Sequence, residues 1–121
     1  MNSKSFAKKI SELIFTKKGY DVVIMDLRNI ASFTDYLVIC SADSDVQVKA
    51  IADEVDKSLS KNGIKCWNKE GYKALQWILL DYIDVVVHVF KKSTREYYNL
   101  EKLWGDAPTE KVKDIVTKQT G

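Results

Sequence analysis

The sequence predicts one α+β domain, a mixed five-stranded sheet with helices packed on it. Three observations predict it. The chain has 121 residues, 45% hydrophobic and 30% charged, which suits one soluble domain with a core of its own. Segments with helical apolar spacing bracket runs rich in β-branched residues. Two connections between those runs are too short for a parallel crossover, so some strands must pair antiparallel. Residues 1–108 read as the domain and 109–121 as a basic C-terminal tail.

Phe6, Ala7, Ile10, Leu13 and Ile14 recur on one face of a first helix, with lysines opposite, and Gly19 is placed to stop it as a left-handed cap. Asp21 to Leu27, with Val-Val-Ile-Met at its centre, reads as a strand, and Tyr36 to Cys40 as another. Ser44 and Gln47 have capping-box spacing ahead of the apolar face Val48, Ile51, Ala52, Val55 and Leu59, and Asn62-Gly63 ends that helix. Ile64 to Trp67, Trp77 to Tyr82 and Val85 to Phe90 complete the strands. In the last, Val85, Val87 and Val89 face one way and Val86, His88 and Phe90 the other, which predicts a central strand covered on both faces or partly covered by a partner. Ser93 and Glu96 form a second possible capping box, for one helix that presents Tyr97, Leu100 and Trp104 together and ends at Gly105. Beyond Pro108, the only proline, Val112, Ile115 and Val116 are spaced for one turn of helix.

No apolar run approaches the roughly 18 residues of a membrane span, and Lys4, Lys8 and Lys9 interrupt any secretory leader, so a cytoplasmic protein is expected. Cys40 and Cys66 sit in apolar stretches without metal or redox spacing and read as reduced, buried thiols. Net charge is only +2, with basic ends and a mildly acidic middle. That distribution suits a basic protein partner better than a phosphate backbone.

Catalytic patterns fail one by one. Nucleotidyltransferases hold magnesium on two acids one residue apart on a strand, after a Gly-Ser turn. Here Asp81 and Asp84 are three apart, so alternation puts them on opposite faces, and no Gly-Ser turn precedes them. His88, the only histidine, has no nucleophile in a recognisable triad arrangement, and there is no phosphate-binding glycine loop. No catalytic residue, metal site or cofactor is expected. The aromatics Trp67, Trp77, Tyr82, Phe90, Tyr97, Tyr98 and Trp104 all lie in the second half. Trp77, Leu79 and Asp81 share one strand face, and a cluster of rigid apolar anchors beside acids is the composition of a protein-binding hot spot.

Three blocks carry a family resemblance. Residues 35–56 run DYLVICSADSDVQVKAIADEVD; Glu70-Gly71 precedes WILLDYIDVVVHVF at residues 77–90; and REYYNLEKLW at residues 95–104 is closed by Asp106-Ala107-Pro108. In this order they resemble the ribosomal silencing factor family, also called Iojap. The resemblance implies a nucleotidyltransferase-like fold without catalytic acids and a translational repressor of no enzymatic activity. It implies binding to the large ribosomal subunit through large-subunit protein fourteen, a block on small-subunit joining, a role in large-subunit assembly for organelle relatives, and a homodimer off the ribosome. Partner-binding residues expected on both grounds are Trp77, Leu79, Asp81, Tyr82, Asp84, His88, Tyr97 and Tyr98. A divergent nucleotidyltransferase and a module binding RNA through the lysine-rich ends are the competing readings. One departure stands out: Ile83 occupies a hairpin position where the family usually has glycine, and a two-residue turn there wants positive φ.

Overall fold

The computed structural model describes residues 2–114. Its elements are α1 (Ser3–Thr16), β1 (Tyr20–Asp26), β2 (Tyr36–Ala42), α2 (Asp45–Lys61), β3 (Asn68–Glu70), β4 (Trp77–Asp81), β5 (Val85–Lys91), α3 (Lys92–Tyr98), α4 (Leu100–Leu103) and β6 (Thr109–Lys111). They form an α+β fold around one six-stranded sheet ordered β3-β4-β5-β2-β1-β6. It is mixed, as expected: β2 and β5 pair in parallel and every other neighbouring pair is antiparallel. α2 lies in the crossover that brings β5 back alongside β2.

Among the described residues the sheet has six strands, not five. β6, within the segment read as a tail, pairs with β1 through Val23, Ile24 and Met25. Three residues without alternation carry no strand signal, and the pairing comes from the tertiary position of Pro108, whose carbonyl accepts from Asp26 N–H at 2.9 Å. Val112 belongs to no helix, while Ile115 and Val116 lie outside the described residues. The third strand begins at Asn68, after the run Ile64 to Trp67 that was expected to begin it.

The faces of the sheet are covered unequally. α1 and α2 bury Ile10, Ile14, Ile51, Val55 and Leu59 against Val38, Cys40, Ile78, Leu80, Val85, Val87 and Val89. On the opposite face a smaller cluster of Val23, Met25, Leu37, Ile39, Val86 and Phe90 is covered mainly by Leu100, Trp104 and Ala107. β5 is central and buried along Val85–Phe90. Cys40 is buried and its thiol pushed up to about 12 by desolvation, whereas Cys66 is only partly buried, with its thiol raised for the same reason; both are free thiols.

Local chemistry explains the boundaries. Ser44 Oγ accepts from Gln47 N–H at 3.2 Å, and Gln47 Oε1 returns a bond to Asp43 N–H at 2.7 Å, one residue earlier than a standard capping box. Helix α1 ends with Lys18, not Gly19, in the left-handed region, at φ +64. Gly19 is needed for space instead: a Cβ there would stand 2.3 Å from Ile14 Cγ2. The helix expected from Ser93 to Trp104 is broken at Asn99, whose φ of +46 separates α3 from α4, and α3 starts after Lys91 without a side-chain cap, so Ser93 and Glu96 form no capping box.

At the β4–β5 hairpin, Ile83 takes φ +72. Asp81 Oδ1 accepts from Ile83 N–H at 2.8 Å, and Tyr82 O accepts from Asp84 N–H at 2.9 Å, holding the tight turn. A β-branched residue in this region costs about 1–2 kcal/mol. Ile83→Gly should therefore raise stability by about 1 kcal/mol, roughly 4 °C in melting temperature. Thermal denaturation followed by circular dichroism measures it; an unchanged or lower midpoint would show that the turn does not carry this strain.

Candidate protein-binding groove

The thinly covered sheet face carries a groove of about 330 Å³, lined by strand residues Leu37, Trp77, Leu79, Asp81, Val86 and His88 and, opposite them, by Phe33, Leu100, Leu103 and Trp104. Alternation builds its floor: Trp77, Leu79 and Asp81 leave β4 on the side away from α2, while Ile78 and Leu80 are fully buried against the helices. Val86 and His88 do the same from β5. Asn68 and Glu70 of β3 complete the rim.

Trp77 organises the floor. Its ring stacks on Phe90 at 4.7 Å between centroids and meets Tyr98 at 5.0 Å. Its Nε1–H donates to His88 Nδ1 at 2.9 Å. The backbone comes close to the loop before it: a Cβ on Gly71, which has φ +95, would lie 1.9 Å from the Trp77 carbonyl oxygen, so only glycine allows this approach. His88 is 6% exposed, and desolvation holds its pKa down at about 4.

The opposite wall depends on Arg95. Its guanidinium donates to Glu101 Oε1 and Oε2 at 2.9 and 3.1 Å, to the Asp21 carbonyl at 2.6 Å and to Ser41 Oγ at 2.8 Å. Asp21 offers that carbonyl because β1 bulges there, with φ +49 and a register shift between Tyr20 and Val23. The clamp ties the broken α3–α4 segment to β1 and β2, and the left-handed Asn99 turns Leu100 and Trp104 toward the sheet.

Of the eight residues expected to bind a partner, Trp77, Leu79, Asp81 and His88 line the groove. Tyr98, 56% exposed, extends it beside Trp77, and Tyr97, 82% exposed, meets Tyr98 edge-on. Tyr82 does not join them. It is buried on the helix side of the sheet, in edge contact with Phe6 and donating to Asp56 Oδ1 at 3.2 Å; burial raises its pKa above the ordinary tyrosine value. Asp84 is exposed at the hairpin, outside the groove. Sequence reasoning missed Phe33, Leu100, Leu103 and Trp104 as groove walls, because the uninterrupted helix it assumed grouped Tyr97 with Leu100 and Trp104. It missed Arg95, two of whose partners are 54 and 74 residues away in sequence. Among the described residues, no group of three or more His, Cys, Asp or Glu is placed to hold a metal, and no helix is long and apolar enough to cross a membrane.

The sequence profile of the family described as "Ribosomal silencing factor during starvation" matches residues 1–121. The chain belongs to the ribosomal silencing factor family. It is 46% identical to ribosomal silencing factor RsfS of Bacillus subtilis, over 89% of this chain and 92% of that one. It is 40% identical to RsfS of Halalkalibacterium halodurans, over 97% of this chain and 100% of that one. A crystal structure of a Chromobacterium violaceum protein superposes with a TM-score of 0.84 at 34% identity, covering 87% of this chain and 88% of that one. Membership places the chain among ribosome-associated translation regulators, which are not a known enzyme family.

Two outcomes follow from the groove's construction. The histidine pKa is lower in the folded chain than the ordinary 6.5, so the unfolded state takes up the proton first as pH falls. The stability of the neutral, buried ring is fully present above pH 6.5 and is lost between 6.5 and 4, by on the order of 3 kcal/mol. Urea titrations across that window should show the loss in the wild type and a shallower slope in His88→Gln. Arg95→Ala removes four hydrogen bonds and should lower stability by about 2 kcal/mol, with faster amide exchange in residues 92–104 read by mass spectrometry. Exchange like that of the wild type would show that Arg95 does not hold the wall.

Proposed function

We propose that this chain represses translation by seating the groove face of its sheet on the large ribosomal subunit, through large-subunit protein fourteen, and so blocking the small subunit from joining. The observation that carries this reading is the composition of the face: an apolar groove with exposed aromatics beside it, whose charged lining, among the described residues, is the acids Glu70 and Asp81. Ribosomal proteins are generally basic, and an acidic rim around apolar anchors gives such a partner both register and affinity. Tyr97, Tyr98 and Leu103 supply exposed apolar area continuous with the floor, and Asp84 adds a nearby charge at the hairpin.

The same reading includes an aid to large-subunit assembly, a homodimer when the chain is free, and a cytoplasmic location. It also includes a nucleotidyltransferase-like fold without the catalytic acids. Asp81 spends one carboxylate oxygen on Ile83 N–H and faces the groove, while Asp84 is exposed at the hairpin, so the two do not form the convergent pair that such chemistry requires.

Affinity and folding separate in the right mutants. Tyr98→Ala and Leu103→Ala remove side chains that are 56% and 70% exposed, so they should leave the melting temperature within a few degrees of wild type. As interface anchors they should weaken cosedimentation with purified large subunits by roughly tenfold to thirtyfold. Trp77→Ala should lose both binding and stability, because the ring also stacks on Phe90. Unchanged binding by folded Tyr98→Ala and Leu103→Ala proteins would rule out this face.

A further inference from the structure

The groove contains a hydrogen-bond donor that no described residue accepts. An indole nitrogen can only donate, so the bond from Trp77 Nε1–H makes His88 Nδ1 the acceptor. The ring is neutral near pH 7. Its proton must then sit on Nε2. Among the described residues nothing accepts from Nε2–H, yet no buried side-chain nitrogen or oxygen is left without a partner; the donor is therefore open to the groove that His88 lines. Around it the lining is apolar: Leu37, Leu79, Val86 and Leu100. Among the described lining residues, charge enters only through Glu70 and Asp81.

We propose that His88 Nε2–H is the groove's recognition donor, and that the groove takes a segment of a basic protein presenting an acceptor carbonyl to His88, an apolar side chain to the floor and a lysine or arginine to Glu70 and Asp81. This rests on the protein-binding reading of the face and names the chemistry it selects. A donor set in an apolar recess discriminates strongly, because a partner without an acceptor leaves the N–H desolvated and unpaired. Trp77 is the positioning residue: its bond fixes the tautomer and so aims the proton outward. A nucleic-acid backbone fits poorly, since its phosphates would approach two carboxylates.

The test compares wild type, His88→Gln and His88→Phe in cosedimentation with purified large subunits near pH 7.5, with the melting temperature of each. Glutamine can accept from Trp77 through its carbonyl and still present an N–H to the groove; phenylalanine keeps a ring and presents none. Binding by His88→Gln should stay within about threefold of wild type, while His88→Phe should lose about tenfold or more. Equal binding by all three folded proteins, or equal losses in both variants, overturns the proposal. Long-range nitrogen–proton NMR on histidine-labelled wild type covers the case in which His88→Phe does not fold: the proton must be on Nε2, and finding it on Nδ1 overturns the proposal. Wild-type protein that fails to cosediment would instead overturn the large-subunit reading and this inference with it.

Discussion

Seven residue pairs, from Tyr36 with Val85 to Ala42 with Lys91, join β2 to β5 in parallel at the centre of the sheet. Parallel neighbours need a long crossover, and the residues between them supply it as α2, β3 and β4. α2 packs with α1 over one face and uses most of the helical cover the chain has. The other face is left to a short, broken segment after β5. The groove thus exists because the parallel pair fixes which side the long helices occupy.

Much of this was legible from periodicity. Alternation in Val85–Phe90 placed His88 and Phe90 together on one face and marked the strand as central; Trp77, Leu79 and Asp81 shared a face for the same reason, and they line the groove. Ser44 and Gln47 marked the start of α2 through their own side-chain bonds. These signals are local, and each element's apolar pattern agrees with the face it buries.

What the sequence concealed depends on contacts distant along the chain. Asn99 takes the left-handed conformation and separates α3 from α4, and Arg95 before it is held by a β1 carbonyl and a β2 hydroxyl. Tyr82 looked like an anchor beside Asp81 and Asp84, but one step along an alternating strand turns it to the helices, where Asp56 and Phe6 receive it. β6 is a strand only because β1 offers it an edge. Ile83 sits where glycine would be unstrained, and the hairpin keeps its hydrogen bonds despite the misfit.

The sheet ends in two three-residue strands, Asn68–Glu70 on one side and Thr109–Lys111 on the other, both exposed and both carrying a lysine and a glutamate. Short, charged borders template strand addition poorly. A neighbouring chain gains little by extending the sheet, and fibril-like stacking is disfavoured even though one face of the sheet is only thinly covered. Association is thereby channelled to the flat of the sheet, where shape and side-chain chemistry can select the partner, and away from its rims, where main-chain bonding would accept almost any strand.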